Sequence, residues 1–267
     1  MSRKTVSMIG NLTRDMMSDV METSLKKPIQ TGEFRKNPVE PAWRCPAEYI
    51  YELVKTEQFV MEYLKPKQAV TGRVILQLHG GGYIGPMKNI YRRFAVKYSQ
   101  ISFGADVLTP DYRVAPEHPY PAALDDALES YQYLLKKGYE PGQILLAGES
   151  AGGGLIYCLC LRLKQLGMAL PCGLVGISPW TDLTGSGDSY RENREKDPSM
   201  TPELLQFYAK CYTENPANPL CSPLFGDLTG LPPSLLFVGG DEVMLDDTRA
   251  LHEKLLAAGC RSSLHIA

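Results

Sequence analysis

The sequence predicts an α/β fold with a mainly parallel sheet flanked by helices, and three observations predict it. Short β-rich runs alternate with helix-periodic stretches along most of the chain. Two of those runs break directly into glycine-rich turns, as strands do when they feed a loop at a sheet edge. With 267 residues, 44% of them apolar and 22% charged, the chain can bury most of its apolar surface, as one large α/β domain or equally as two small ones.

Taken in order, Val74–Leu78 (VILQL) reads as a strand, 88–100 as a helix, 105–108 as a strand and 121–137 as a helix. Residues 144–147 are again a strand, 151–166 a helix and 174–177 a strand. An irregular insertion rich in Gly, Pro and charge follows over 181–232, with a helical stretch at 204–212. Ser234–Val238 (SLLFV) returns to strand, 246–258 to helix, and 262–267 begins a further strand. Near the start, Met8, Leu12, Met16 and Val20 recur four apart with Ile9 and Met17 beside them, an amphipathic helix with a methionine-rich stripe. Such a stripe either packs on the body of the protein or lids a pocket, where pliable thioethers suit varied apolar ligands.

Charge and composition narrow the function classes. A formal net charge of −2 offers no basic surplus for nucleic acid or an anionic membrane. The longest apolar run is stopped by Arg162, far short of the roughly 20 residues that span a bilayer. Seven cysteines, odd in number and irregularly spaced, read as reduced thiols of a soluble cytoplasmic protein. Cys158 and Cys160 stand about 200° apart on a helix, so they share no metal, and the four histidines show no ligand spacing. No metal is expected.

Gly148-Glu149-Ser150-Ala151-Gly152 carries the chemistry. It fits G-x-S-x-G between a strand and a helix, the context in which that motif presents a nucleophile on a sharp bend. The bend leaves no room for side chains at 148 and 152, and the helix start behind Ser150 favours developing negative charge. An incidental serine in a glycine-rich turn is the plainer alternative. His79-Gly80-Gly81-Gly82 also follows a strand directly, and its glycines can turn N–H groups toward a ligand. With the amide of Ala151, those of Gly81 and Gly82 are candidates for binding an oxyanion. A phosphate cradle is the usual competitor, but no Lys-Ser/Thr pair follows.

HGGG at 79–82, Asp111-Tyr112-Arg113-Val114-Ala115-Pro116-Glu117-His118-Pro119, GESAGG at 148–153, Ser178-Pro179-Trp180-Thr181-Asp182-Leu183 and Gly240-Asp241-Glu242 occur in that order. Together they resemble the hormone-sensitive-lipase-like (family IV) carboxylesterases of the α/β-hydrolases, from about residue 45 to the end. The resemblance implies an α/β-hydrolase fold, esterase activity on short acyl chains and no cofactor. It also implies a helical cap, here residues 1–45 with a contribution from the 181–232 insertion, over a catalytic domain of 46–267. His79 and Gly80 would support the oxyanion loop.

In that chain order the acid follows the nucleophile and the histidine follows the acid. Asp241, just past the strand Ser234–Val238, matches the acid; Glu242 is its nearest rival, and Glu149 is expected to tie neighbouring loops. Asp246 and Asp247 read as carboxylates at a helix start. After Asp241 come only His252, on a helix surface, and His265, in an alternating strand. Neither reads as the base, while His79 and His118 precede the acid and read as loop formers. The expectation is a C-terminally truncated chain whose base lies past Ala267, with a sheet edge poorly covered enough to favour self-association or marginal stability.

Two functions follow. The first is hydrolysis of small acetyl-to-hexanoyl esters through an acyl-enzyme, by Ser150 with Asp241 and an absent histidine. The second is a non-catalytic small-molecule binder of the same fold that lacks the histidine.

Overall fold

The computed structural model describes residues 27–36, 40–68 and 71–267. The methionine-rich stripe at 8–20 therefore lies outside the described residues. Among them an eight-stranded sheet runs in the order β1-β2-β4-β3-β5-β6-β7-β8. Its strands are β1 (Tyr49–Lys55), β2 (Val60–Pro66), β3 (Val74–Leu78), β4 (Asp106–Asp111), β5 (Ile144–Glu149), β6 (Gly173–Ile177), β7 (Ser234–Val238) and β8 (Ser262–Ile266). From β4 through β8 every pairing is parallel, whereas β1 pairs β2 and β2 pairs β4 antiparallel.

The helices that matter to the site are α1 (Asn89–Ile101), α2 (Ala122–Lys136), α3 (Ala151–Gln165), α4 (Ser189–Glu192), α5 (Pro202–Tyr212) and α6 (Leu245–Ala257). These elements fall within a few residues of the expected ones. The expectation missed β1 and β2. The pair is a hairpin in which the Thr56 hydroxyl accepts the N–H groups of Gln58 and Phe59, and Met61, Tyr63 and Leu64 are buried. The mixed apolar and charged pattern of YIYELVK reflects β1's place at the sheet edge, where most of its side chains stay at least partly exposed.

Period-2 alternation splits the core between the two faces. Val74, Leu76, Leu108, Leu146 and Leu174 pack with α2, α3 and α6, while Ile75, Val107 and Ala147 pack with Ala95, Val96 and Tyr98 of α1. α3 is buried nearly all round, which explains its weak amphipathicity in the sequence. At the far end of the α1 face, Phe237 on β7 stays 38% exposed and stacks on His265 of β8 with ring centroids 5.1 Å apart.

The winding of the sheet positions the site. From β3 the chain crosses through α1 to β4 on one side, then returns through α2 to β5 on the other. β3 and β5 are thus neighbours whose following loops diverge, leaving a crevice at their carboxyl ends. Leu78 pairs with Gly148, so the two glycine-rich turns leave the sheet side by side.

Candidate active site

Ser150 sits between β5 and α3 with φ 53° and ψ −120°, a left-handed backbone that a non-glycine residue holds only when its surroundings over-determine it. Three hydrogen bonds do so. The Ser150 N–H donates to Ile177 O (2.9 Å), and its carbonyl accepts Gly154 N–H (3.0 Å) and Trp180 N–H (2.9 Å). The flanking glycines are sterically required: a β-carbon on Gly148 would overlap the Gly152 carbonyl, and one on Gly152 would overlap the carbonyls of Leu78 and His79.

That close approach brings the two turns together. A β-carbon on Gly80 would lie 2.9 Å from Glu149 O and 3.3 Å from Ser150 Cβ, so the first glycine of the HGGG run lies against the serine. Gly81 (φ 118°) and Gly82 (φ 63°) continue in left-handed backbone. The Gly81 carbonyl accepts Ile84 N–H (3.1 Å) and Gly85 N–H (2.8 Å), and Tyr83 O accepts Ala115 N–H (2.8 Å). The N–H groups of Gly81, Gly82 and Ala151 donate to no oxygen among the described residues. Unbonded donors of this kind can make a cradle for a developing negative charge.

His79 is fully buried and holds this loop from below. Its ring stacks on Tyr112 at 4.1 Å, Nδ1 lies 2.7 Å from Gly80 O, and the Tyr112 hydroxyl donates to His79 O (2.6 Å). Because a carbonyl only accepts, Nδ1 carries the proton. Burial pushes the imidazole down to about 4, and its Nε2 has no partner.

Glu149 points to the opposite face of β5. Its Oε1 accepts the Tyr98 hydroxyl, Oε2 is buried without a partner, and burial pushes the carboxyl up to about 7 against the opposing effect of Tyr98 and Gln77. It ties β5 to α1, a strand to a helix, where the sequence suggested a tie between loops.

Asp241 is exposed in the turn after β7, and Glu242 beside it is engaged: Oε1 accepts the Ser178 hydroxyl (2.8 Å) and Gly239 N–H (2.7 Å). The sequence missed the role of Asp247. It is buried, and its Oδ2 accepts the N–H groups of Thr181 and Asp182 (both 2.9 Å), so it fixes the loop whose Trp180 holds Ser150 O. Burial pushes its carboxyl up to about 8. Its position near the start of α6 had suggested only a charge at a helix end; the partners lie 65 and 66 residues away.

None of the four histidines bonds Ser150. His252 Nδ1 pairs with Ser262 Oγ (2.8 Å), His265 stacks on Phe237, His118 N–H donates to Val114 O, and His79 is occupied as above. All seven cysteines are free, and among the described residues no cluster of His, Cys, Asp and Glu is arranged to hold a metal. No described helix is long and apolar enough to cross a membrane.

Comparison with known proteins agrees with this geometry. A family model described as alpha/beta hydrolase fold matches residues 75–267. An acetyl-hydrolase of Streptomyces hygroscopicus is 39% identical over 210 residues, covering 78% of this chain and 70% of that protein. An esterase of Acinetobacter venetianus is 40% identical over 190 residues, covering 70% of this chain but 62% of that protein, so the match spans less than two thirds of its length. Among solved structures, an esterase from the bacterial hormone-sensitive lipase family superposes with a TM-score of 0.78 at 38% identity, over 84% of this chain and 76% of that one. Another, EstE5 soaked with p-nitrophenyl butyrate, superposes at 0.79 with 34% identity, over 91% and 86%. The chain therefore belongs to the α/β-hydrolase family, in its bacterial hormone-sensitive-lipase-like branch.

Proposed function

We propose that the protein is a serine carboxylesterase acting on short-chain acyl esters. Ser150 Oγ attacks the ester carbonyl, and the N–H groups of Gly81, Gly82 and Ala151 hold the oxygen that becomes negative. The tetrahedral intermediate collapses with loss of the alcohol, leaving an acyl group on Ser150 that water then releases as the acid. No step draws on a cofactor. Asp241, free at the open end of β7, orients the imidazole that takes and returns the proton. The observation that supports the reading is the contact of Gly80 with Ser150, together with the unbonded N–H groups of Gly81, Gly82 and Ala151 that follow them in the chain. Removing one such donor costs about 3 kcal/mol of transition-state stabilisation in comparable sites.

Relatives named esterase and acetyl-hydrolase favour hydrolysis over a pocket that only binds. The 181–232 insertion contributes to a cap on this reading, supported by the contact of its Tyr208 with Gly82. The substrate on this reading is a small ester.

Treatment with a fluorophosphonate followed by peptide mass spectrometry, alongside p-nitrophenyl butyrate turnover, tests the assignment. The expected adduct is on Ser150, with turnover lost in Ser150→Ala. An adduct confined to another residue, or turnover indifferent to Ser150→Ala, removes the proposal.

A further inference from the structure

Helix α5 touches the oxyanion loop twice. The Tyr208 ring lies against Gly82 so closely that a β-carbon there would overlap it, and the Tyr212 ring stacks on Tyr83 with centroids 3.9 Å apart and planes 5° from parallel. Four residues apart, the two tyrosines stand one above the other on a single helix face and meet consecutive loop residues. Tyr83 is a bulky side chain in left-handed backbone (φ 62°), a conformation that needs outside support.

The helix itself is held at both ends. Thr201 Oγ1 caps it by accepting Leu204 N–H (3.2 Å) behind Pro202, and Tyr212 O accepts Tyr120 N–H (2.8 Å). The loop's other side is fixed by Gly85 N–H to Gly81 O and by Ala115 N–H to Tyr83 O. Gly81–Tyr83 is therefore clamped between the sheet side and a helix of the insertion, while Gly82 has no side chain with which to anchor itself. The hydroxyls of Tyr83 and Tyr212 are buried without partners, so stacking and not hydrogen bonding holds the pair.

We infer that Tyr208 and Tyr212 are positioning residues: α5 sets the orientation of the Gly81 and Gly82 N–H groups, coupling the insertion to the oxyanion cradle. The inference rests on the esterase reading for its kinetic consequence and on geometry alone for its structural one. Anything that shifts α5, an acyl group pressing on the insertion included, changes how well the cradle fits the transition state.

The test is amide hydrogen exchange of the whole chain, read by mass spectrometry at residues 80–84, together with p-nitrophenyl butyrate kinetics. Tyr208→Leu and Tyr212→Leu are each expected to speed exchange at 80–84 at least tenfold, through the Ile84 N–H that bonds Gly81 O, while strand β5 stays protected. kcat is expected to fall ten- to a hundredfold with KM within twofold, because amides aimed at an oxyanion act in the transition state. Tyr212→Phe keeps the stacked ring, discards an unpartnered hydroxyl and is expected to retain both properties. If exchange at 80–84 stays unchanged in both leucine variants, or rises equally in β5, the inference is overturned. Should exchange respond as expected while the unaltered protein shows no Ser150-dependent turnover, the clamp stands and the esterase reading fails.

Discussion

The Ser178 hydroxyl donates to Glu242 Oε1 at 2.8 Å, and the same oxygen accepts the Gly239 N–H at 2.7 Å. Glu242 is thereby committed to closing the turn after β7. Asn193 Nδ2 adds bonds to Gly240 O (3.2 Å) and Glu242 O (2.9 Å), and Asp197 Oδ2 accepts Val243 N–H (2.9 Å). Asp241, the residue between, is the carboxylate this scaffold leaves exposed.

The two adjacent acids should therefore separate cleanly. Glu242→Ala strips an acceptor from two donors and is expected to destabilise the fold by about 1–3 kcal/mol. Asp241→Asn is expected to leave the denaturation midpoint within about 0.5 kcal/mol, as an exposed substitution does, while lowering ester turnover strongly. Urea denaturation and p-nitrophenyl butyrate kinetics on both variants decide it. The reverse pattern would make Glu242 the acid.

Glu149 should make stability depend on pH. Its carboxyl is raised by burial from 4.5 to about 7, so the folded chain keeps a proton that the unfolded chain has already lost. The stabilisation is complete below the unfolded value and disappears as pH climbs through the folded one. Midway through that window the slope approaches about −1.4 kcal/mol per pH unit and flattens at both ends, so roughly 2 kcal/mol is lost between pH 5 and 7. Glu149→Gln preserves an acceptor for the Tyr98 hydroxyl and has no proton to lose. Its stability, measured by denaturant at several pH values, should fall more gently than that of the unaltered protein; parallel curves would show that the carboxyl does not titrate there.

His79 carries the opposite sign. Burial lowers its value from 6.5 to about 4, so its contribution to stability is present above 6.5 and is lost as pH falls through 4. In the folded protein its ring protons should show no titration between pH 5.5 and 8 by NMR, and the pH profile of turnover should owe nothing to it. An inflection near the ordinary histidine value, assigned to residue 79, would contradict the buried, carbonyl-bonded ring.

What the sequence disclosed and what it hid differ by distance along the chain. The bend at Ser150 and the glycine run at 80–82 were readable because each is a local strand-to-loop event with its requirements written into neighbouring residues. The grip of Tyr208 on Gly82 and of Asp247 on Thr181 joins segments far apart, and neither residue's own surroundings announce its partner. Strands β1 and β2 escaped notice for a related reason. An edge hairpin half open to solvent mixes charged and apolar side chains on positions that a buried parallel strand fills with Val, Ile and Leu.

Glycine substitutions provide the sharpest check on the contact between the two turns. At Gly152 a methyl group would overlap the backbone carbonyls of Leu78 and His79, which no side-chain movement can relieve. Gly152→Ala must therefore push α3 away from β3, and with it Ser150 from Gly80. The expected cost is about 3 kcal/mol or more, the upper range for overpacking, with loss of fluorophosphonate reactivity at Ser150. Gly142 is the matched control. A methyl group there meets nothing within 4 Å, and the residue lies in a helical turn between Pro141 and Gln143. Gly142→Ala should change stability by less than about 1 kcal/mol, in the stabilising direction, by reducing the freedom of the unfolded chain. If thermal denaturation finds the two substitutions equally harmless, the glycine loop and the serine turn are not in contact, and the cradle described above does not exist.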